Sequence, residues 1–339
     1  MNTRPPRRRP TTWALFVSLL ALLVSTTACG DGDAGGRSAT TIVVGSPCKT
    51  CLKTLLTASR EIEGTPYALE FADFDSAPPL IEAMKAGRVD VAWGGEVPVF
   101  FGISNGAPVV LLAGGRSSAT GQSRILVKED SPIRTVADLR GKKIAMPLYT
   151  VPHYPLAVAL QEAGLAWSDV EVVNLNTTDG LAAFNAGSVD AFVVWDPNAA
   201  VVETEHGGRT LQPLGDVINP DSAYYAAAGA VQDPAKRAAI EDLTGRVVRA
   251  FAWVGEHKAE WAGQVTELTG VPAAAAGLAA DRQDWQLVPV DDGVRATWQQ
   301  EVDFFAQLGQ ITAPFPVAER VVPGFDTVVA GALATLDRG

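Results

Sequence analysis

The stretch "IEAMKAGRVDVAWGG" at residues 81–95 returns, without a gap and 100 residues later, as "LAAFNAGSVDAFVVW" at residues 181–195. Ala83/Ala183, Ala86/Ala186, Gly87/Gly187, Val89/Val189 and Asp90/Asp190 are identical, and Ile81/Leu181 and Met84/Phe184 match in kind. Each copy reads as an amphipathic helix stopped by a glycine suited to the left-handed C-cap conformation, with a valine-rich strand after a short turn. The match extends upstream. "TTIVVGSP" (40–47) and "KKIAMPLY" (142–149) are short apolar strands ending in turn formers, and "LEFADFDS" (69–76) and "VEVVNLNT" (170–177) are second strands. Between them lie residues at the helical spacing i, i+3, i+4 and i+7, Leu52, Leu55, Leu56 and Ser59 in one copy, apolar but for the last, and Leu156, Ala159, Leu160 and Ala163 in the other.

The order is strand, helix, strand, helix, strand, twice over, which predicts an α/β chain of two lobes facing one another across a central cleft. Ligands of such sheets sit beyond the carboxyl ends of the strands. Four loops are therefore nominated: Gly45–Thr50, Trp93–Val97, Pro147–Tyr154 and Trp195–Asn198. After the second unit, "SAYYAAAGAVQD" (222–233) reads as a strand returning to the first lobe. Residues 235–339 read as mostly helical, with Val294, Trp298, Val302, Phe305 and Leu308 forming one core stripe and Pro272 opening an alanine-rich helix. The expected domains are 41–124 with 226–339 as lobe 1 and 125–225 as lobe 2.

At the amino terminus, Arg4 and Arg7 to Arg9 precede the apolar run Trp13–Val24, which is too short to cross a bilayer and reads as a secretory signal over residues 1–28. "TTAC" (26–29) resembles a bacterial lipoprotein processing box, with Thr26 where an aliphatic residue is usual, so Cys29 is expected to carry lipid. Residues 29–40 then form a flexible, glycine-rich tether. Without the four signal arginines, 23 bases face 38 acids, a net charge of −15 that excludes nucleic acid as a partner. The exported body is expected to be monomeric and to meet the membrane through the anchor alone.

These features together resemble a known family, the periplasmic or lipid-anchored solute-binding proteins of bacterial importers for nitrate, taurine and alkanesulfonates, which also includes binders of thiamine precursors. The resemblance rests on "VADLRGKKIAMPLYTVPHYPLAVALQEAGL" (136–165), "AGRVDVAWGG" (86–95), "AGSVDAFVVWDP" (186–197) and "DDGVRATWQQEVDFFAQLGQI" (291–311). It implies a type II periplasmic binding protein whose lobes are joined by crossing strands near Ser123–Lys128 and Ser222–Val231. It also implies an ABC transporter permease as partner, no cofactor and no catalysis. In the first loop the family usually carries small polar residues, whereas this chain has "SPCKTC" (46–51).

Two helices open into the expected cleft, near Cys48–Cys51 and near Pro152–Tyr154, and their unpaired N–H groups suit an anion. Ser46, Cys48, Thr50 and Thr150 would add to them, and His153 and Tyr154 match the family's pair at a ligand-facing helix start. Gly94 and Gly95 lie in the second loop. Glu96 and Asp196 follow the third strand of each unit, where opposed carboxylates would suit an amine. Trp93 and Trp195 end the same strands, where an aromatic face can stack on a flat N-heterocycle or pack the core.

"CKTC" alone fits a redox centre, a metal site or a staple. In an exported chain, directly after the first strand of a duplicated unit, it is expected to be a Cys48–Cys51 disulfide that shapes one wall of the cleft. Two rival readings remain: thiol–disulfide chemistry at Cys48 and Cys51, or a metal held by Cys51, His153 and Glu96. No G-x-S-x-G, P-loop or H-E-x-x-H motif is present, and three histidines leave few general bases.

Overall fold

The computed structural model describes residues 40–117, 123–217 and 222–336. The expected signal segment, Cys29 and all but the last residue of the expected tether therefore lie outside the described residues. The first unit runs β1 (Thr41–Ser46), α1 (Leu52–Ala58), β2 (Ala68–Asp73), α2 (Ala77–Lys85) and β3 (Val91–Gly95), and α3 (Glu96–Ser104), β4 (Val109–Arg116) and β5 (Ser123–Lys128) follow it. The second runs β6 (Lys143–Met146), α4 (His153–Glu162), β7 (Glu171–Asn174), α5 (Thr177–Asn185) and β8 (Ala191–Trp195), followed by α6 (Asn198–Glu205) and β9 (Gly208–Pro213).

The duplicated residues perform the same local task in both copies. Gly87 and Gly187 both adopt φ 69°, which costs a residue without a Cβ nothing. Their N–H groups donate to Met84 O and Phe184 O, while Arg88 and Ser188 donate to Ala83 O and Ala183 O, so both helices end in the same Schellman motif. Asp90 and Asp190 then pin the next strand to the first. The Asp90 carboxylate accepts from Val43 N at 2.9 Å and its own N–H donates to Val43 O; Asp190 repeats both bonds with Lys143.

In the first sheet the order is β2-β1-β3, all parallel, then β10 (Ser222–Ala227), antiparallel to β3 and to β4 beyond it, and finally β11 (Gln286–Val288) at the edge. The second sheet is β7-β6-β8, parallel, then β5 antiparallel to β8 and to β9. In each sheet the first strand after a crossing, β5 or β10, pairs antiparallel with the two strands beside it. The expected crossing strands are corrected on this point: Ser123–Lys128 and Ser222–Ala227 each lie wholly within one sheet. The crossings are the connections between Arg116 and Ser123 and between Pro213 and Ser222.

Helices α7 (Ala228–Gln232), α8 (Pro234–Glu256), α9 (Lys258–Thr269), α10 (Ala273–Asp281), α11 (Asp292–Gln307) and α12 (Phe325–Leu336) complete the chain. The main core lies in the first lobe, where Leu52, Leu55, Leu80 and Phe100 are fully buried, each worth about 1.5–3 kcal/mol against exposure. In the second lobe, strand alternation sends Ile125 and Val127 to one face of β5 and Leu126 to the other, so each face has its own core. Val294, Trp298, Val302 and Phe305 of α11 are buried as expected, but Leu308 falls at its C-cap and is 43% exposed.

Candidate functional site

Between the lobes lies a chamber of about 80 Å³. Lobe 1 contributes Pro47, Cys48 and Cys51 after β1, Ala77 at the start of α2, Trp93, Gly94 and Gly95 at the end of β3, and Pro98 in the first turn of α3. Lobe 2 contributes Thr150 and Val151 before α4, and Trp195 at the end of β8. All four loops nominated from the sequence are present. The lobes approach closely, because a Cβ on Gly95 would lie 2.1 Å from Val151 Cγ2.

Ser123, Ser222 and Trp285 also line the chamber, and strand-end reasoning missed all three. That reasoning looks at carboxyl ends, whereas β5, β10 and β11 run antiparallel and bring their amino ends to the cleft. In register, Ser123 pairs with Trp195, Ser222 with Gly95, and Gln286, next to Trp285, with Arg116. The detectable signal was the direction of the strands that follow each crossing. Trp93 is both wall and core: it packs 5.0 Å from Phe251 and 5.8 Å from Trp285, and its ring fills the space over Gly115.

Several expected ligand residues are placed elsewhere. Ser46 is buried and its Oγ donates to Cys48 O at 3.3 Å, shaping the loop, and Thr50 Oγ1 lies 3.8 Å from Cys48 Sγ, outside the chamber lining. Thr150 does line it, but its hydroxyl donates to Pro147 O at 2.5 Å. His153 and Tyr154 do not face the chamber; they sit behind Val151 in an aromatic cluster between the lobes. His153 packs against Phe101, Trp167 and Phe305, and Tyr154 against Phe304 and Phe305. The reason is apolarity: Phe101 on α3 and Phe305 on α11 present rings that the start of α4 covers.

His153 Nδ1 accepts from Tyr149 N, which leaves the ring proton on Nε2, and burial pushes its pKa down to about 4. Tyr154 is pushed up by burial and by the charges of Glu301 and Glu96.

Glu96 and Asp196 are both buried behind the chamber and not opposed across it. Asp196, the residue before the N-cap Pro197, accepts from Ala200 N in the first turn of α6 at 3.0 Å and faces Arg282 at 3.4 Å. Burial raises its pKa to about 6 against the opposing pull of Arg282 and Arg124. Cys48 and Cys51 are joined in a disulfide with Cα atoms 5.1 Å apart. The alternative metal site is corrected: among the described residues no group of three His, Cys, Asp or Glu side chains is placed to hold an ion.

Residues 74–224 match the family model described as "NMT1/THI5 like". A relative in Escherichia coli (strain K12), named as an aliphatic sulfonates-binding protein, is 29% identical over 75% of this chain and 79% of its own length. The taurine-binding periplasmic protein of the same organism is 34% identical over 42% of this chain and 43% of its own. The crystal structure of the periplasmic aliphatic sulphonate binding protein SsuA from Escherichia coli superposes with a TM-score of 0.75 at 26% identity, covering 86% of this chain and 100% of that one. The chain is similar to these sulfonate- and taurine-binding proteins. It shares the two-lobed type II binding-protein fold of the SsuA structure, each duplicated unit forming one parallel set of strands. These relatives are named as binding proteins, and the desulfurization enzyme DSZB shares the fold with a TM-score of 0.64 at 20% identity, covering 88% of this chain and 99% of that one.

Proposed function

We propose that this chain is the extracytoplasmic receptor of an ABC importer and that it captures a small organic sulfonate in the chamber between its lobes. The observation that carries this reading is the chemistry of the wall. No charged side chain lines it among the described residues, while three tryptophans, Trp93, Trp195 and Trp285, offer apolar faces and Ser123 and Ser222 offer hydroxyls. The first turn of α3 adds backbone donors at Glu96 and Val97, before Pro98 interrupts them, and α2 adds Ala77 alone because Pro78 and Pro79 carry no N–H. Neutral donors and aromatic faces lining one chamber suit a sulfonate with an apolar tail.

With Glu96 and Asp196 withdrawn behind the wall, a ligand amine finds no carboxylate among the described lining residues, which favours plain alkanesulfonates over taurine. Binding closes the lobes about the two crossings and presents the closed form to a permease, without catalysis. The chain acts as a monomer outside the cytoplasmic membrane, held by lipid on Cys29 and the tether 29–40.

Isothermal titration of the purified body with methane-, ethane- and butanesulfonate, taurine, nitrate and a thiamine-precursor pyrimidine tests the reading. Alkanesulfonates are expected to bind most tightly. Binding of the pyrimidine alone, or turnover of any sulfonate, would overturn it.

A further inference from the structure

Cys48 occupies a position that no other cleft residue shares: it borders three spaces at once. It lines the inner chamber of about 80 Å³, an outer pocket of about 300 Å³, and a third space of about 500 Å³ on the far side of its loop. The outer pocket is walled by Thr177 and Thr178 at the start of α5, Asn198 at the start of α6 and Val271 before α10. The chamber and the outer pocket share only Pro47, Cys48 and Trp195. A solute tail that runs from the chamber into the outer pocket therefore passes between the Pro47–Cys48 edge and the Trp195 ring.

The Cys48 side of that passage is fixed covalently. The disulfide to Cys51 ties it to the residue that caps α1, and Cys51 itself is 5% exposed within the main core. Weaker ties surround it: Cys51 N donates to Cys48 O at 3.2 Å, and Ser46 Oγ reaches the same oxygen. Without the covalent bond the Cys48 side chain is free to change rotamer, while the backbone at Lys49 stays held by the hydroxyl of Thr54, which donates to Lys49 O.

We propose that the Cys48–Cys51 disulfide is the wall that sets the length limit of the cleft, confining a solute to the inner chamber and barring its tail from the outer pocket. The proposal rests on the sulfonate reading above and deepens it. It makes the pair a specificity-determining element and not a redox centre.

The test is a chain-length series, methane- to octanesulfonate, titrated into the oxidised protein, the phosphine-reduced protein and the Cys48→Ser/Cys51→Ser variant. For the oxidised protein, affinity is expected to climb over the shortest chains and then to fall. For the reduced protein and the double variant it is expected to keep rising, by about fourfold for each methylene that leaves water. The reduced wild type carries no substitution, so a misfolded variant leaves the experiment intact. One chain-length profile in both redox states would overturn the wall. Failure of every sulfonate to bind in every state would overturn the functional reading beneath it, and the two failures are distinguishable.

Discussion

Arg282, from the segment that follows α10, reaches the carboxylate of Asp196 at 3.4 Å and that of Glu203 at 2.7 Å. Asp196 is the residue after Trp195, and Arg124, whose pKa is lowered by burial and by the charge of Arg282, is the residue after Ser123. A buried ionic cluster thus stands directly behind two residues of the ligand wall and ties lobe 2 to the C-terminal segment. Replacing Arg282 by Met leaves buried negative charge without its partner. The expected loss is about 3 kcal/mol of stability, read by urea unfolding at pH 7, together with weaker ligand binding. An unchanged midpoint would show that the cluster is solvated in solution.

Two buried groups titrate in the same window with opposite sign. The folded pKa of Asp196, about 6, lies above its ordinary value of 3.8, so between those values the folded state holds the proton more tightly and stability falls as pH rises. The folded pKa of His153, about 4, lies below its ordinary 6.5, so over nearly the same window stability rises with pH. Each amounts to about 3 kcal/mol, and in the native chain they largely cancel between pH 4 and 6. Asp196→Asn is expected to become markedly less stable as pH falls from 6.5 to 4, and His153→Phe more stable. Two variants with parallel pH profiles in thermal melts would refute the pairing.

Gly95 and Val151 measure how closely the lobes approach. The substitution Gly95→Ala places a methyl group against Val151 and is expected to hold the cleft ajar, enlarging the radius of gyration in solution scattering with saturating sulfonate and weakening binding by about tenfold or more. Adding Val151→Ala removes the opposing methyls, and binding should recover. If the double variant binds no better than the single, the closure geometry is wrong.

Ser123 and Ser222 are the hydroxyls that face the chamber from the amino ends of β5 and β10. Replacing either by Ala is expected to weaken sulfonate binding by about tenfold to a hundredfold, as befits a hydrogen bond to a charged group, with little effect on melting temperature of the unliganded protein. Titrations of both variants that match the native curve would exclude them as donors.

The repeat made the architecture readable because it is local: the glycine at the helix end and the aspartate after it are fixed by hydrogen bonds within one unit, and both were visible at a constant spacing. The four ligand loops followed from it. Direction across the crossings was not readable in the same way. Ser123, Ser222 and Trp285 reach the site only because their strands insert antiparallel, which depends on pairing partners far away in sequence. His153 and Tyr154 misled for a related reason. Their place in the chain is at a ligand-facing helix start, but the rings of Phe101 and Phe305, which cover them, come from distant helices.

The strand insertion also writes an order into the birth of the molecule. The second sheet is contiguous, Ser123 to Pro213, and needs nothing that is made later. The first cannot complete β3 or β4 until β10 has emerged, more than 100 residues after β4 ended. Loop closure over that distance is slow, so in pulsed hydrogen exchange during refolding the amides of Ile125–Val127 should be protected before those of Tyr224–Ala226. Until then β3 shows an open edge to any neighbouring chain, a hazard that falls in the interval between export and completion of the fold.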